Sequence, residues 1–469
     1  MRELNLSTAV ELLEGYRRRL FSPVDAVRAC LDQIDALDPA LNAFCLVDRP
    51  GALEAAEASE VRWKRGEPSG KLDGVPASIK DLFLTKGWPT LCGSLAVRPD
   101  QPWTEDAPAV ARLREAGAIF IGKTTTSEFG HKGVTDNPLT GVTRNPWDTR
   151  LTPGGSSGGA GVAAAAAMTP LNLGSDGGGS IRIPAAFCGV VGFKPGFAAV
   201  PGSGAITGPL VADGPLTRSV ADAALMMDVI SAYDARDPNP SSHRPVDYVG
   251  ELASGIEGWR IGYLTTIGDA AVDPEVAVSV SVATALFMAA GAHVEPISID
   301  LPGAVDAYIT ILSAGTALML DAFGDDQRAV MEPALLTLAT MGRGVTGVDY
   351  AKAYHRMRAG FIAMMRPLYE RFDLIVLPTM PRPAFEVLHD YPGAQDGRWR
   401  ADWTPFTFPF NLTSQPACSV PCGLTRAGLP IGLQILGPWG ADGRVLRAAH
   451  AFEQAVGGFA LAPLARRPS

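Results

Sequence analysis

Two serines framed by glycine fall within one stretch, Thr152–Phe187, and their surroundings suggest covalent chemistry more than any others in the chain. The stretch reads TPGGSSGGAGVAAAAAMTPLNLGSDGGGSIRIPAAF. Glycine at that density costs backbone entropy, so it needs a reason: tight turns, or backbone N–H groups that must come close to a negative centre. Phosphate binding fails on detail, because there is no G-x-x-x-x-G-K-[ST] and no G-x-G-x-x-G follows a strand. Tight turns around a small-residue helix explain Ala163–Ala167, but not a serine inside each glycine run. Nucleophilic catalysis is the other candidate. Gly154-Gly155-Ser156-Ser157-Gly158 has the G-x-S-x-G form of a nucleophile elbow. An elbow needs an apolar strand leading into its serine, whereas Asn145–Arg150 is polar and turn-like. Ser180 fits better: Leu171–Gly174 reads as a strand, Ser175–Ser180 as a sharp turn, and Ile181 onward is apolar again. Gly177, Gly178 and Gly179 would let their N–H groups converge on one oxygen, and removing one such donor typically costs about 2.7–4 kcal/mol of transition-state stabilisation.

A nucleophilic serine needs a base. The six histidines are His131, His243, His293, His355, His389 and His450, and none sits in a sequence typical of a triad base. Lys80 is the other candidate. It ends the apolar run Val75–Ile79, where burial would lower its pKa from about 10.4 toward the working range. Position alone, however, favours a strand-end lysine reaching solvent beside Asp81.

These residues sit in a chain built for a large core. Of its 469 residues, 47% are hydrophobic and 19% charged, and the 51 glycines and 38 prolines form no low-complexity tract. The net charge of −9 and pI near 5.3 argue against a phosphate-backbone partner, which needs clustered Lys and Arg. The short run Arg17-Arg18-Arg19 reads as a solvated helix face. The N-terminus shows no signal-peptide pattern and no stretch is long and apolar enough to span a bilayer, so a cytoplasmic location is expected, with no membrane partner. Cys418 and Cys422 lack the further Cys or His of a zinc set, and the six cysteines read as buried free thiols.

The elements that must position the serines alternate. Residues 1–65 read as helices, with Thr8 and Glu11 as a capping box and Ser22-Pro23 opening a helix to about Leu37. Residues 66–232 alternate strands (Val75–Ile79, Ala118–Ile121, Leu171–Gly174, Val190–Phe193) with helices (Ala107–Ala116, Gly159–Met168). This pattern predicts an α/β fold with a covered sheet. Residues 233–255 form a polar, Pro-rich link. Residues 256–469 repeat strand–helix–strand (Trp259–Leu264, Val276–Ala290, His293–Ile299), then add a helical stretch over about 304–372 and a strand at Leu374–Leu377. Two domains, or one sheet fed from both halves, fit this order equally.

Three segments resemble the amidase signature family: Gly74–Asp81 (GVPASIKD), Pro153–Gly159 (PGGSSGG) and Gly174–Ala185 (GSDGGGSIRIPA). Gly122-Lys123-Thr124, Thr143–Trp147, Gly189–Pro195 and Leu429–Gln434 look alike as well, so the likeness spans most of the chain. The resemblance implies a single amidase domain, 1–469, with a large mixed sheet covered by helices on both faces. It implies a Ser–Ser–Lys triad in which Ser180 is the nucleophile, Ser156, preceded by a cis peptide, relays the proton, and Lys80 is the base. It further implies that Gly177, Gly178 and Gly179 donate to an oxyanion beside Ser180, and that Ser157, Asp176 and Arg182 hold the turn. No metal or organic cofactor is needed. Gly177 stands where the family often has Thr, Ala160 where Ser is common, and Gly196 where Thr is usual.

The reaction implied is hydrolysis of a small carboxamide through a Ser180 acyl-enzyme. The alternative within the resemblance is the glutaminase subunit of a tRNA-dependent amidotransferase. There an acidic residue binds glutamine just before a Thr-x-Pro-x-Asn segment; here that segment is Thr407–Asn411, and the nearest acid, Asp402, is out of register. A non-catalytic binding protein on the same fold, and an esterase pairing Ser156 with His389 or His450, are the other readings. Phe129, His131, Trp403 and Phe406, with Phe408, are candidates for the substrate pocket, although core packing explains a phenylalanine equally well. The expected partners are a small amide and, as oligomer, a second copy of the chain.

Overall fold

Capping opens the first helices where the side chains call for it. Thr8 and Glu11 exchange hydrogen bonds across the first turn of Ala9–Arg17, and Ser22 with Asp25 does the same for Pro23–Leu41. That second helix runs four residues beyond Leu37 and stops at Asn42, which adopts the left-handed conformation. The computed structural model describes residues 3–202, 210–237, 246–394, 396 and 398–466. His243 and part of the 233–255 link lie outside them.

The strands, in chain order, are β1 (Phe44–Val47), β2 (Pro76–Lys80), β3 (Ile119–Thr124), β4 (Asp136–Asn137), β5 (Gly141–Val142), β6 (Leu171–Asp176), β7 (Val191–Lys194), β8 (Ala212–Thr217), β9 (Arg260–Leu264), β10 (His293–Ile297), β11 (Leu374–Pro378), β12 (Ala417–Leu424) and β13 (Pro430–Leu436). β4 and β5 form a small ribbon. The other eleven make one mixed sheet in the order β1-β3-β2-β6-β8-β7-β12-β13-β11-β9-β10, so strands from both halves of the chain share it. β1 departs from the helical reading of residues 1–65. Once Asn42 ends its helix, Phe44–Val47 pairs antiparallel with the open edge of β3.

Helices cover both faces. Against one lie Pro108–Glu115, Val220–Ile230, Pro274–Ala289 and Asp442–Val456, packed on Ala77, Ile79, Leu171, Leu173, Val376 and Leu433 among others. Against the other lie Pro23–Leu41 and Gly158–Ala165, the latter buried along its whole length. The small residues of Gly158–Ala165 let it sit close: a β-carbon at Gly161 would come within 3.0 Å of Pro184. The stretch 304–372 forms five α-helices (Ala304–Leu320, Asp325–Arg328, Pro333–Arg343, Gly347–Ala351, Arg358–Arg371), the last two joined by the π-helix Lys352–Met357. No helix among the described residues is long and apolar enough to cross a membrane. The six cysteines are free thiols, but only Cys30, Cys188 and Cys418 are buried; Cys45, Cys92 and Cys422 are partly exposed.

Candidate active site

β2, β3 and β6 run parallel side by side, and the site forms where β2 and β6 end, the usual place for chemistry in a parallel sheet. Lys80 is the last residue of β2 and is fully buried. The alternative of a solvated lysine beside Asp81 does not describe it, because Asp81 turns to Lys123, 3.0 Å away. Lys80 Nζ lies 2.7 Å from Ser156 Oγ, 2.8 Å from Ser157 Oγ and 3.1 Å from Ser175 Oγ. Burial lowers its pKa to about 7, against the opposing pull of Asp176 and Asp213.

The pattern of donors shows what a neutral lysine would do here. Ser157 Oγ donates to Ser175 O at 3.1 Å, so toward Lys80 it can only accept. One amine hydrogen goes to Ser157 and a second can go to Ser175. The lone pair then remains for the hydroxyl hydrogen of Ser156. Ser157 stands at the N-cap of Gly158–Ala165 without capping it, its hydroxyl being committed to this network. The Gly155–Ser156 peptide bond is cis.

The turn that carries Ser180 is built on one carboxylate. Asp176 accepts from the N–H groups of Gly179 (2.7 Å), Ile181 (3.2 Å) and Arg182 (3.3 Å), and from Asn411 Nδ2 (2.9 Å). The fully buried Arg182 guanidinium meets it through Nε and Nη2, both at 2.9 Å. Burial alone would raise the Asp176 pKa, but the Arg182 charge and hydrogen bonds outweigh it and hold the group well below the usual carboxylate range. Arg182 also reaches Thr407 O, Gln434 Oε1 and Asn411 Oδ1, so all five of its N–H donors have acceptors. Gly179 has φ of 132°, and a β-carbon there would come within 2.6 Å of Thr407 Oγ1. A second tie joins the serine segments: Ser157 N–H donates to Ser180 O at 3.1 Å.

Ser156, Ser175, Gly177, Gly178 and Ser180 open onto a cavity of about 390 Å³, whose apolar wall includes Phe129, Leu312, Met319 and Trp403. Ser180 is half-exposed there.

The Amidase family profile matches residues 25–446. The chain belongs to the amidase signature family. It is similar to an acylamidase of Rhodococcus erythropolis, with 35% identity over 97% of this chain and 96% of that one. It is equally similar to a glutamyl-tRNA(Gln) amidotransferase subunit of Alkaliphilus metalliredigens, with 35% identity over 98% of each. Among solved structures, a bacterial aryl acylamidase of the same family superposes with a TM-score of 0.89 at 32% identity, covering 96% of both chains. Amidase signature proteins act on C–N bonds, and the fold seen here is theirs.

Within this amidase signature chain, the candidate residues separate clearly. Lys80, Ser156 and Ser157 are brought into one network, with Asp176 and Arg182 beneath the Ser180 turn. Gly179 differs from the expected set of oxyanion donors, because its N–H is committed to Asp176 Oδ1. The N–H groups of Gly177, Gly178 and Ser180 have no acceptor among the described residues. Phe129, His131 and Trp403 line the cavity, whereas Phe406 is fully buried in the core beside it and Phe408 packs on Tyr308. His131 hydrogen-bonds through Nδ1 to Glu128 O, and burial lowers its pKa to about 3, so it stays neutral at ordinary pH. His389 and His450 do not line the cavity.

Three contributors had no usable signal in the chain. Ser175 acts through its place beside Lys80. Tyr308 descends from Ala304–Leu320 until a β-carbon at Gly178 would overlap its hydroxyl. Asp213 enters from β8, whose pairing between β6 and β7 is long-range.

Proposed function

We propose that the chain hydrolyses a small linear carboxamide to a carboxylate and ammonia or an amine, with Ser180 as nucleophile, Ser156 as relay and Lys80 as base. One observation carries the reading: a buried lysine with its pKa lowered to about 7, its Nζ 2.7 Å from Ser156 Oγ, on the wall of a cavity shared with Ser180. As Ser180 Oγ bonds to the amide carbon, its proton passes to Ser156 Oγ while the Ser156 proton passes to Lys80 Nζ. The carbonyl oxygen takes the electron pair, facing the N–H groups of Gly177, Gly178 and Ser180. Collapse of that intermediate breaks the C–N bond, and the relay returns the proton to the leaving nitrogen. Water then releases the acyl group by the same route.

The apolar wall favours an alkyl or aryl group on the substrate. The amidotransferase reading rests on an identity equal to that of the acylamidase. Against it, Asp402 is held by Arg400 and does not line the cavity. Release of amine or ammonia from a panel of aliphatic, aryl, peptide and ureide amides decides the matter. The purified chain should turn over apolar amides unaided. Activity only with partner subunits and charged tRNA would reverse the assignment.

The lysine also predicts a pH profile. Only neutral Lys80 can accept the proton, so kcat/KM should be flat above pH about 7. Below that it should fall about tenfold per pH unit. A limb near pH 4, as for a carboxylate base, would rule Lys80 out.

A further inference from the structure

The cavity wall holds a charged group that the reaction above does not use. Asp213 stands on β8 directly opposite Ser175 of β6, and both line the cavity with Ser156 and Ser180. Residues directly opposite in an antiparallel pair share a face of the sheet, with β-carbons about 4.5–5.5 Å apart. Ser175 Oγ is in turn 3.1 Å from Lys80 Nζ. Lys80, Ser175 and Asp213 thus form a row across three neighbouring strands, β2, β6 and β8.

The other ionisable groups around this row are already engaged. On β6, both oxygens of Asp176 are taken by Arg182, Asn411 and the turn. At the cavity rim, Lys132 is paired with Asp136, Glu332 and Asp390, and Arg400 with Asp402. His131, kept neutral by burial, is bonded through Nδ1 to Glu128 O. Burial keeps the Tyr308 phenol, on Ala304–Leu320, and the Cys92 thiol protonated. Asp213 differs: among the described residues, no donor pairs with its carboxylate, and the charge it answers to is that of Lys80.

We propose that Asp213 is a positioning residue for Lys80, whose charge, acting across Ser175, adds to that of the Arg182-paired Asp176 and shifts the pH range in which the lysine is neutral and able to accept a proton. The inference rests on Lys80 being the base. An anion beside Lys80 favours its ammonium form, and the ammonium in turn favours ionised Asp213. Burial pushes Asp213 up to about 7, and Lys80 pulls it back, so both groups exchange protons over one pH range. Without the anion, Lys80 releases its proton at lower pH.

The test is kcat/KM against pH on a neutral acylanilide, for the full chain and for Asp213→Asn, Asp213→Glu and Lys80→Ala. Asp213→Asn should move the acid limb down by about one pH unit, the low end of what a nearby opposite charge does. Its plateau should fall a few-fold, because the lysine has become a weaker base. Asp213→Glu keeps the charge and should keep the limb. A uniform loss in Asp213→Asn with the limb unmoved would overturn the proposal, leaving Asp213 a packing residue. So would a loss confined to an amino-bearing amide but absent with its neutral isostere, which would make Asp213 a substrate contact. Lys80→Ala separates the two claims. If it is inactive while Asp213→Asn leaves the limb in place, only this inference fails; if it retains activity, the base assignment itself fails.

Discussion

Ser180→Ala is expected to lower kcat about 10⁶-fold on any amide the chain accepts, the size of loss seen when a serine nucleophile is removed. The reason is local. Ser180 is the half-exposed hydroxyl on the cavity wall, held by a turn whose Asp176 fixes the residues on either side of it. The substitution removes one oxygen and leaves that scaffold intact, so the melting temperature should stay within a few degrees of the parent's. Two measurements check it: initial rates on the best amide of the panel, and mass spectrometry of a quenched reaction, where the acyl group should sit on Ser180. Ser156→Ala should also be severely impaired, but because the proton route is cut. Acylation found on Ser156, with Ser180→Ala active, would restore the elbow reading of Gly154–Gly158.

The second large effect is on stability. Arg182→Met should cost about 3–5 kcal/mol, because it strands the Asp176 carboxylate in a buried site. Asp176 and Arg182 are both fully buried, and the lost guanidinium also leaves Gln434, Asn411 and the Thr407 carbonyl without their donor. Urea denaturation gives the loss directly. Pairing the change with Asp176→Asn should recover part of it, since the double variant no longer buries an unmatched charge. A single-variant loss below about 1 kcal/mol would mean that the pair contributes little beyond its own desolvation. Catalysis should suffer too, because Asp176 then loses the partner that orients it under Gly179 and Ser180.

Much of this site is legible in the chain alone. Ser156 and Ser180 stand in short segments whose glycines serve local backbone geometry, which a linear pattern encodes; Lys80 enters through the family resemblance, since its position alone reads as a solvated strand end. The capping boxes at Thr8 and Ser22 are local geometry too. β1 is hidden because four apolar residues after a helix carry no periodic signal; the open edge of β3 decides their conformation. Phe406 and Trp403 look alike along the chain, yet one lies in the core and the other on the cavity wall. Only the packing of neighbouring elements tells a core aromatic from a lining one.

The amino-acid sequence by itself supplied the candidate set, Ser180, Ser156 and Lys80, in three short motifs whose likeness to the amidase signature family gives them their proposed roles. Tertiary structure alone decided the electrostatics of that set. Burial of Lys80, the commitment of the Gly179 N–H to Asp176, and the arrival of Asp213 and Tyr308 all depend on strands and helices distant in the chain. A pKa answers to every charge and void within a few ångströms, and those neighbours are assembled by long-range pairing that no motif contains.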